Sequence, residues 1–279
     1  MIRIVTDTAS DITRDEASAM QVDIVALEIT FDDGPCPHET RQDIERFYER
    51  LIACKNLPIT SRPSPDAYIR IIEEARAAGD DVLILSLSSG LSGTWESAEQ
   101  AKQMAEYDRV RVVDTHQAIL TQRLLVEHAV HMRDAGKSLG EIADEIEAMR
   151  DRVVVCGVVD TLKFLKNGGR VPASLAIIGE ALNIKPVIVL EDKILKTMGK
   201  VRGRKQGLSL LHKRMEEDNF DRNGPVYFGY TSDKSITEAF MQETVERYGL
   251  KNKNIYPIGG IIGTHCGTSC IAVAYLKGN

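Results

Sequence analysis

Short runs of β-branched and aliphatic residues alternate along this chain with amphipathic stretches of helical period. That alternation leaves few options, because strands interleaved with helices build an α/β fold. Val82-Leu83-Ile84-Leu85 is the plainest apolar run, and a polar segment of helical spacing follows it. The pattern predicts strands over 2–6, 22–31, 81–87, 109–114, 153–159, 184–190, 193–201, 225–231, 254–259 and 270–276. It predicts helices over 13–20, 40–54, 65–78, 93–106, 116–135, 138–150, 173–182, 203–217 and 233–248. Ser64-Pro65 reads as an N-cap followed by a proline at the first helical position, and Ala78-Gly79 as the matching stop.

The two halves differ. The first reads as successive βα units, hence a mainly parallel sheet. The second carries a tight hairpin at Asp192, between Glu191 and Lys193, so its sheet is expected to be mixed. A boundary near 150 gives an N-terminal α/β domain over 1–150 and a C-terminal α/β domain over 151–279. Interfaces between domains are usual places for ligands.

Two hydroxyl-rich segments stand out: Thr60-Ser61-Arg62-Pro63-Ser64-Pro65 and Ser86-Leu87-Ser88-Ser89-Gly90-Leu91-Ser92-Gly93-Thr94. A strand ending in a Ser/Gly loop that opens a helix leaves unpaired N–H groups aimed at one place. Hydroxyls and a positive helix end then favour an anion there. The plainer alternative makes Ser92 or Thr94 an ordinary N-cap. One cap needs one hydroxyl, and several converge here.

The 279 residues contain 35 Lys and Arg against 41 Asp and Glu, a net charge of −6. Such a chain is a poor candidate for general nucleic-acid or anionic-membrane binding. No apolar run reaches the length of a membrane span, and the first residues read as a strand, so a cytoplasmic protein is expected. Neither Lys166-Asn167-Gly168-Gly169-Arg170 nor Gly259-Gly260-Ile261-Ile262-Gly263 fits a dinucleotide fingerprint, and no P-loop motif occurs. Five cysteines without a CxxC pair argue against a disulfide framework. His265, Cys266 and Cys270 lack a fourth metal ligand at sensible spacing, so no metal is expected.

Gly263-Thr264-His265-Cys266-Gly267 reads as a loop between two apolar runs, with a histidine that is either structural or aimed at a ligand. Arg170 follows a Gly-Gly turn, as a surface residue or as part of a site. Arg202 and Arg204 make a local basic spot, either a solvated helix start or a docking point. Ser92, Asp114 and His265 occur in the order of an α/β-hydrolase triad, which keeps a serine hydrolase or acyltransferase as the alternative. Against it, Thr94 stands where the nucleophile elbow needs glycine.

Several motifs together resemble the DegV family of fatty-acid-binding proteins, which includes the FakB subunits of bacterial fatty acid kinases. They are Asp7-Thr8-Ala9-Ser10-Asp11, Thr60-Ser61-x-Pro63-Ser64, Leu87 through Thr94, Val113-Asp114-Thr115, Gly169-Arg170-Val171, Lys200-Val201-Arg202 and Gly263-Thr264-His265. The resemblance spans essentially the whole chain. It implies two α/β domains enclosing an apolar tunnel, between or within them, with a long-chain fatty acid whose carboxylate lies at the polar end. By motif, Thr60 and Ser92 would bond the carboxylate, with Ser61, Ser88, Ser89 and the Gly93 amide nearby, and His265 and Arg170 close to the same site. The resemblance implies no catalytic residue and no cofactor beyond the bound lipid. A separate ATP-dependent kinase would phosphorylate the carboxylate, and Arg202 would serve that encounter.

The chemistry is consistent. A buried carboxylate needs a dense set of donors, while each buried CH₂ adds about 0.8 kcal/mol, roughly 10 kcal/mol gross for a long tail. Two departures from the family pattern are visible. Arg62 replaces the usual glutamine, and would add a cation to the site if turned inward or alter the portal if turned outward. Cys266 and Thr268-Ser269-Cys270 replace the Thr-Gly-Pro-Gly that commonly follows the histidine.

Overall fold

The computed structural model describes residues 1–171 and 183–278, so the helix expected over 173–182 lies outside the described residues. The first half runs β1 (Ile2–Asp7), a 3-10 turn (Thr8–Ser10), α1 (Arg14–Met20), β2 (Val22–Val25), β3 (Glu28–Phe31), β4 (Gly34–Pro35), α2 (Arg41–Ala53), β5 (Ile59–Ser61), α3 (Pro65–Ala78), β6 (Asp81–Ser86), α4 (Thr94–Ala105), β7 (Val110–Asp114), α5 (Ile119–Asp134) and α6 (Leu139–Met149). The second runs β8 (Val153–Val158), α7 (Lys163–Asn167), β9 (Ile184–Glu191), β10 (Ile194–Arg202), α8 (Arg204–Glu217), β11 (Val226–Tyr230), α9 (Ser235–Tyr248), β12 (Lys253–Pro257), α10 (Gly260–Cys266) and β13 (Ile271–Leu276).

Strands β2-β1-β6-β7 form a parallel sheet in that order. Strands β10-β9-β8-β13-β11-β12 form a mixed one, antiparallel throughout except for the parallel pair β11 and β12. The fold is therefore α/β with a parallel and a mixed sheet, as the two halves of the sequence imply. The β9–β10 hairpin turns at Asp192 and Lys193, both at positive φ.

Apolar faces explain the layering. Helices α3 and α4 cover one face of the parallel sheet, and α8 and α9 one face of the mixed sheet. Helix α5 touches strands of both sheets, and a continuous buried core joins Leu83 and Leu85 to Val155 and Ala272 across it. Each such leucine or valine, fully buried, contributes about 1.5–3 kcal/mol.

The expected strand 22–31 divides into β2 and β3, which join different sheets. Between them, Leu27 turns inward and its N–H donates to Thr8 Oγ1 at 3.0 Å. Strand β3 then pairs with β4 and β5 in a small antiparallel sheet. In the parallel sheet the strand order reverses between β1 and β6. At such a switch point the loops leaving neighbouring strands diverge and open a crevice beyond their carboxyl ends. The Ser86–Gly93 loop leaves β6 there.

Candidate functional site

The hydroxyl loop is held from below by buried carboxylates. Asp7 Oδ2 accepts the Leu87 N–H at 2.7 Å, while Asp7 Oδ1 accepts from Ala9 N and Gln122 Nε2. Burial pushes the Asp7 carboxyl up to about 6 although these donors pull it back. Asp114 accepts from the Ser89 backbone N–H at 3.1 Å and the Ser89 hydroxyl at 2.6 Å, and pairs with Lys193 Nζ at 2.9 Å. Burial opposes ionisation of Asp114, but these donors outweigh it and leave the group below its ordinary range. The Ser88 hydroxyl donates to the Lys193 carbonyl at 2.8 Å, so the hairpin tip of the mixed sheet docks on this loop.

Beyond that support lies a cavity between the two sheets. Leu27, Leu87, Leu91, Ala118 and Ile119 wall it from the first half, and Val155, Leu165, Ile188, Leu190, Leu195 and Ala272 from the second. Polar side chains gather in one group on its wall: Thr60, Ser92, Arg170 and His265.

Strand β5 and helix α10 bring the first and last of these together. Thr60 Oγ1 lies 3.1 Å from His265 Nε2. His265 is 9% exposed, and its Nδ1 is buried without a hydrogen-bond partner among the described residues. Burial, followed by the charge of Arg170, pushes the imidazole down to about 4, so it is neutral at pH 7. Arg170 donates through Nε to the Leu91 carbonyl at 3.1 Å and through Nη1 to the Gly168 carbonyl. It forms no ion pair among the described residues, which leaves a partly buried positive charge beside the cavity. Arg62 is exposed, and its Nη1 donates to the Gly93 carbonyl at 3.0 Å. Two arginines thus hold the carbonyls on either side of Ser92.

The other hydroxyl positions fall elsewhere. Ser61 is exposed at the end of β5, and Ser88 and Ser89 bond the hairpin carbonyl and Asp114. Gly93 is the N-cap of α4, without a side-chain cap, so neither Ser92 nor Thr94 is the cap residue. Instead Ser92 Oγ and Thr94 Oγ1 bond each other at 2.8 Å. Arg202 stands exposed at the end of β10, its guanidinium without a hydrogen bond or ion pair among the described residues. Its neighbour Arg204 pairs with Asp160 at 3.0 Å.

Two expectations need correction. The Ser92, Asp114 and His265 triad is not assembled: His265 faces Thr60, Asp114 is taken by Ser89 and Lys193, and Ser92 by Thr94. His265 lies in helix α10, not in a loop. Its glycines serve close packing: a Cβ on Gly260 would come within 3.0 Å of the Phe47 ring, and one on Gly263 within 2.5 Å of the Tyr48 hydroxyl. Helix α10 can therefore press against α2, which points His265 at β5.

Residues not singled out by sequence reasoning as site formers also matter. Cys266 and Cys270 line the apolar cavity beside His265. Asp11, buried, accepts the Gly259 N–H at 2.9 Å at the start of α10, and the Tyr48 hydroxyl donates to the Ile258 carbonyl at 2.7 Å. A second cavity adjoins the first, lined by Leu57, Ile59, Phe164, Asn167 and Gly168. It shares Thr60, Arg170 and His265 with the apolar cavity, so these three form a common wall.

Comparison with known proteins agrees with this architecture. A DegV domain-containing protein of Deinococcus radiodurans is 32% identical over 275 residues, covering 98% of this chain and 97% of that protein. A DegV family protein from Thermus thermophilus, solved with fatty acid binding described, is 30% identical with TM-score 0.90, and 99% of each chain is covered. A stearic acid-binding protein from Eubacterium ventriosum is 26% identical with TM-score 0.89, covering 99% of this chain and 98% of that one. The family model "Uncharacterised protein, DegV family" matches residues 1–278, and this chain belongs to the DegV family.

Proposed function

We propose that this chain binds a long-chain fatty acid, with its tail in the apolar cavity and its carboxylate against Thr60, Ser92, His265 and Arg170. Ser61, Ser88, Ser89 and Gly93 belong to the segments that frame these contacts. One observation carries the reading: an otherwise apolar cavity has a single polar group on its wall, beside an arginine that no carboxylate among the described residues neutralises. Apolar walls exclude ions that lack a tail, and a partly buried cation with no ion pair among the described residues favours an anionic head. The fatty-acid-binding relatives from Thermus thermophilus and Eubacterium ventriosum support the same ligand class.

The finer reading is a carrier role. The bound carboxylate would be presented to a separate ATP-dependent fatty acid kinase in the cytoplasm, with Arg202 as a docking point. The resemblance of Lys200-Val201-Arg202 to the family motif supports this, as does the exposed guanidinium. In this reading 1–150 and 151–279 act as two domains closing on the lipid.

Reconstitution tests it. Lipid-loaded protein, such a kinase and ATP should yield acyl phosphate, and Arg202→Ala should lower the yield while leaving fatty-acid affinity intact. Normal turnover by that variant would remove Arg202 from the account, and absence of acyl phosphate with the unaltered chain would remove the kinase.

A further inference from the structure

We propose that the tip of the β9–β10 hairpin is a strap across the cavity, and that ligand enters and leaves when this tip lifts from the Ser88–Gly90 loop. The inference names a moving part, and it rests on the fatty-acid reading above only for the ligand used to test it.

The hairpin overhangs its own sheet. The ladder between β9 and β8 ends at Val189, opposite Cys156, while the ladder between β9 and β10 runs on to Glu191 and Ile194. Residues 190–195 therefore project beyond β8 as a two-stranded ribbon, which has little stability by itself. Glu191 pairs with Arg214 of α8, and the turn reaches across to the first half.

There the turn is pinned to the loop that follows β6. The Ser88 hydroxyl donates to the Lys193 carbonyl at 2.8 Å, and Lys193 Nζ pairs with Asp114 at 2.9 Å. Gly90 packs against the Lys193 backbone: a Cβ on it would stand 2.4 Å from the same carbonyl oxygen, so the approach requires glycine. Asp192 and Lys193 both hold positive φ, a form that L side chains adopt only where their surroundings maintain it. The Lys193 side chain is 42% exposed, so its ion pair is of the weak kind that salt screens and that can open reversibly.

This seam coincides with the cavity wall. Leu87 and Leu91 flank it on the loop, Leu190 and Leu195 flank it on the hairpin, and all of them line the cavity. Ser88, Gly90 and Lys193 hold the seam without lining the cavity themselves. Lifting the tip thus parts the wall while the pairs of β8 and of the parallel sheet stay intact.

The test separates gating from binding. A contact made in the closed form, with and without ligand, sets how often the strap opens, so its loss changes both rate constants and leaves their ratio. Stopped-flow fluorescence of cis-parinaric acid, a naturally fluorescent long-chain fatty acid, reads both rates on the lipid-stripped full chain. Lys193→Met leaves Asp114 its bonds from Ser89 and from the His116 N–H. It should speed association and dissociation together by about fivefold, with Kd kept within about twofold. Lys193→Arg should restore the wild-type rates, and Gly90→Ala, which wedges the tip off the loop, should act in the direction of Lys193→Met. Hydrogen exchange over 190–195, measured without ligand, should rise in Lys193→Met and stay level over β8. Unchanged rates and exchange in Lys193→Met and Gly90→Ala, or faster dissociation alone with an equal loss of affinity, would overturn the strap. If the unaltered chain refuses the fatty acid, the fatty-acid reading falls, and hydrogen exchange then decides the strap by itself.

Discussion

Thr60 and His265 stand 205 residues apart in sequence, yet the threonine hydroxyl and the imidazole Nε2 meet at 3.1 Å. The contact ties the small sheet of the first half to helix α10 of the second, at the polar wall of the cavity. Thr60→Val keeps the shape and removes the hydroxyl, leaving both ring nitrogens unpartnered. Fatty-acid affinity should fall by about tenfold to a hundredfold while the thermal midpoint moves little, as titration calorimetry and a melting curve on the same sample can establish. An unchanged affinity would mean that the hydroxyl bonds only the histidine.

The neutral His265 makes a prediction about pH. Unfolded, its imidazole titrates near 6.5; folded, it is held near 4. The unfolded chain therefore takes up a proton that the ligand-free fold refuses. The stability tied to this residue is complete above about 6.5 and is lost as pH falls toward 4. The difference between wild type and His265→Gln in denaturant unfolding should follow that course. A bound carboxylate favours the imidazolium, so with fatty acid present the loss should shift to a different pH and shrink; a flat difference curve with and without lipid would contradict the assignment.

Asp11 gives the opposite sign. Complete burial raises its carboxyl to about 8, against a donor in Gly259 N–H and the nearby Arg123 that lower it. Ionisation is thus unfavourable in the fold, and its cost grows as pH rises from about 4 through 8. Asp11→Asn imitates the neutral form and should match wild type below about pH 4, exceed it increasingly as pH rises, and hold a constant advantage above about pH 8. Asp11→Ala strands the Gly259 N–H and should cost about 1–3 kcal/mol in chemical unfolding.

Chain length should be adjustable from the floor of the cavity. Ala272 on β13 lines it and is 2% exposed. Ala272→Leu adds three carbons to that wall and takes space from the cavity. The mass distribution of bound lipid should move to shorter acyl chains. An unaltered distribution would place the tail elsewhere in the cavity.

The fold was legible wherever a helix or strand buries a face of regular period. The hairpin at Asp192, the stop at Gly79 and the division into a parallel and a mixed sheet all follow from local chemistry. What escaped is short or tertiary. Strand β5 has three residues, too few for a period to show, and it exists because β3 pairs with it. Helix α10 is disguised by glycines that a sequence reads as a turn, whereas Phe47 and Tyr48, distant in the chain, require them. Nothing in the sequence marks Asp7 and Asp11 as buried, because their partners are backbone N–H groups that sequence does not display. Arg62, open to either orientation in the sequence, lies outward across the Gly93 carbonyl.

The most direct measurement is native mass spectrometry of the purified full chain, followed by solvent extraction and identification of any released lipid. The account predicts one long-chain fatty acid per chain, lost from a Thr60→Val, Ser92→Ala double variant that remains folded. A chain that carries no lipid as purified, and takes up none when palmitate is supplied, would contradict it.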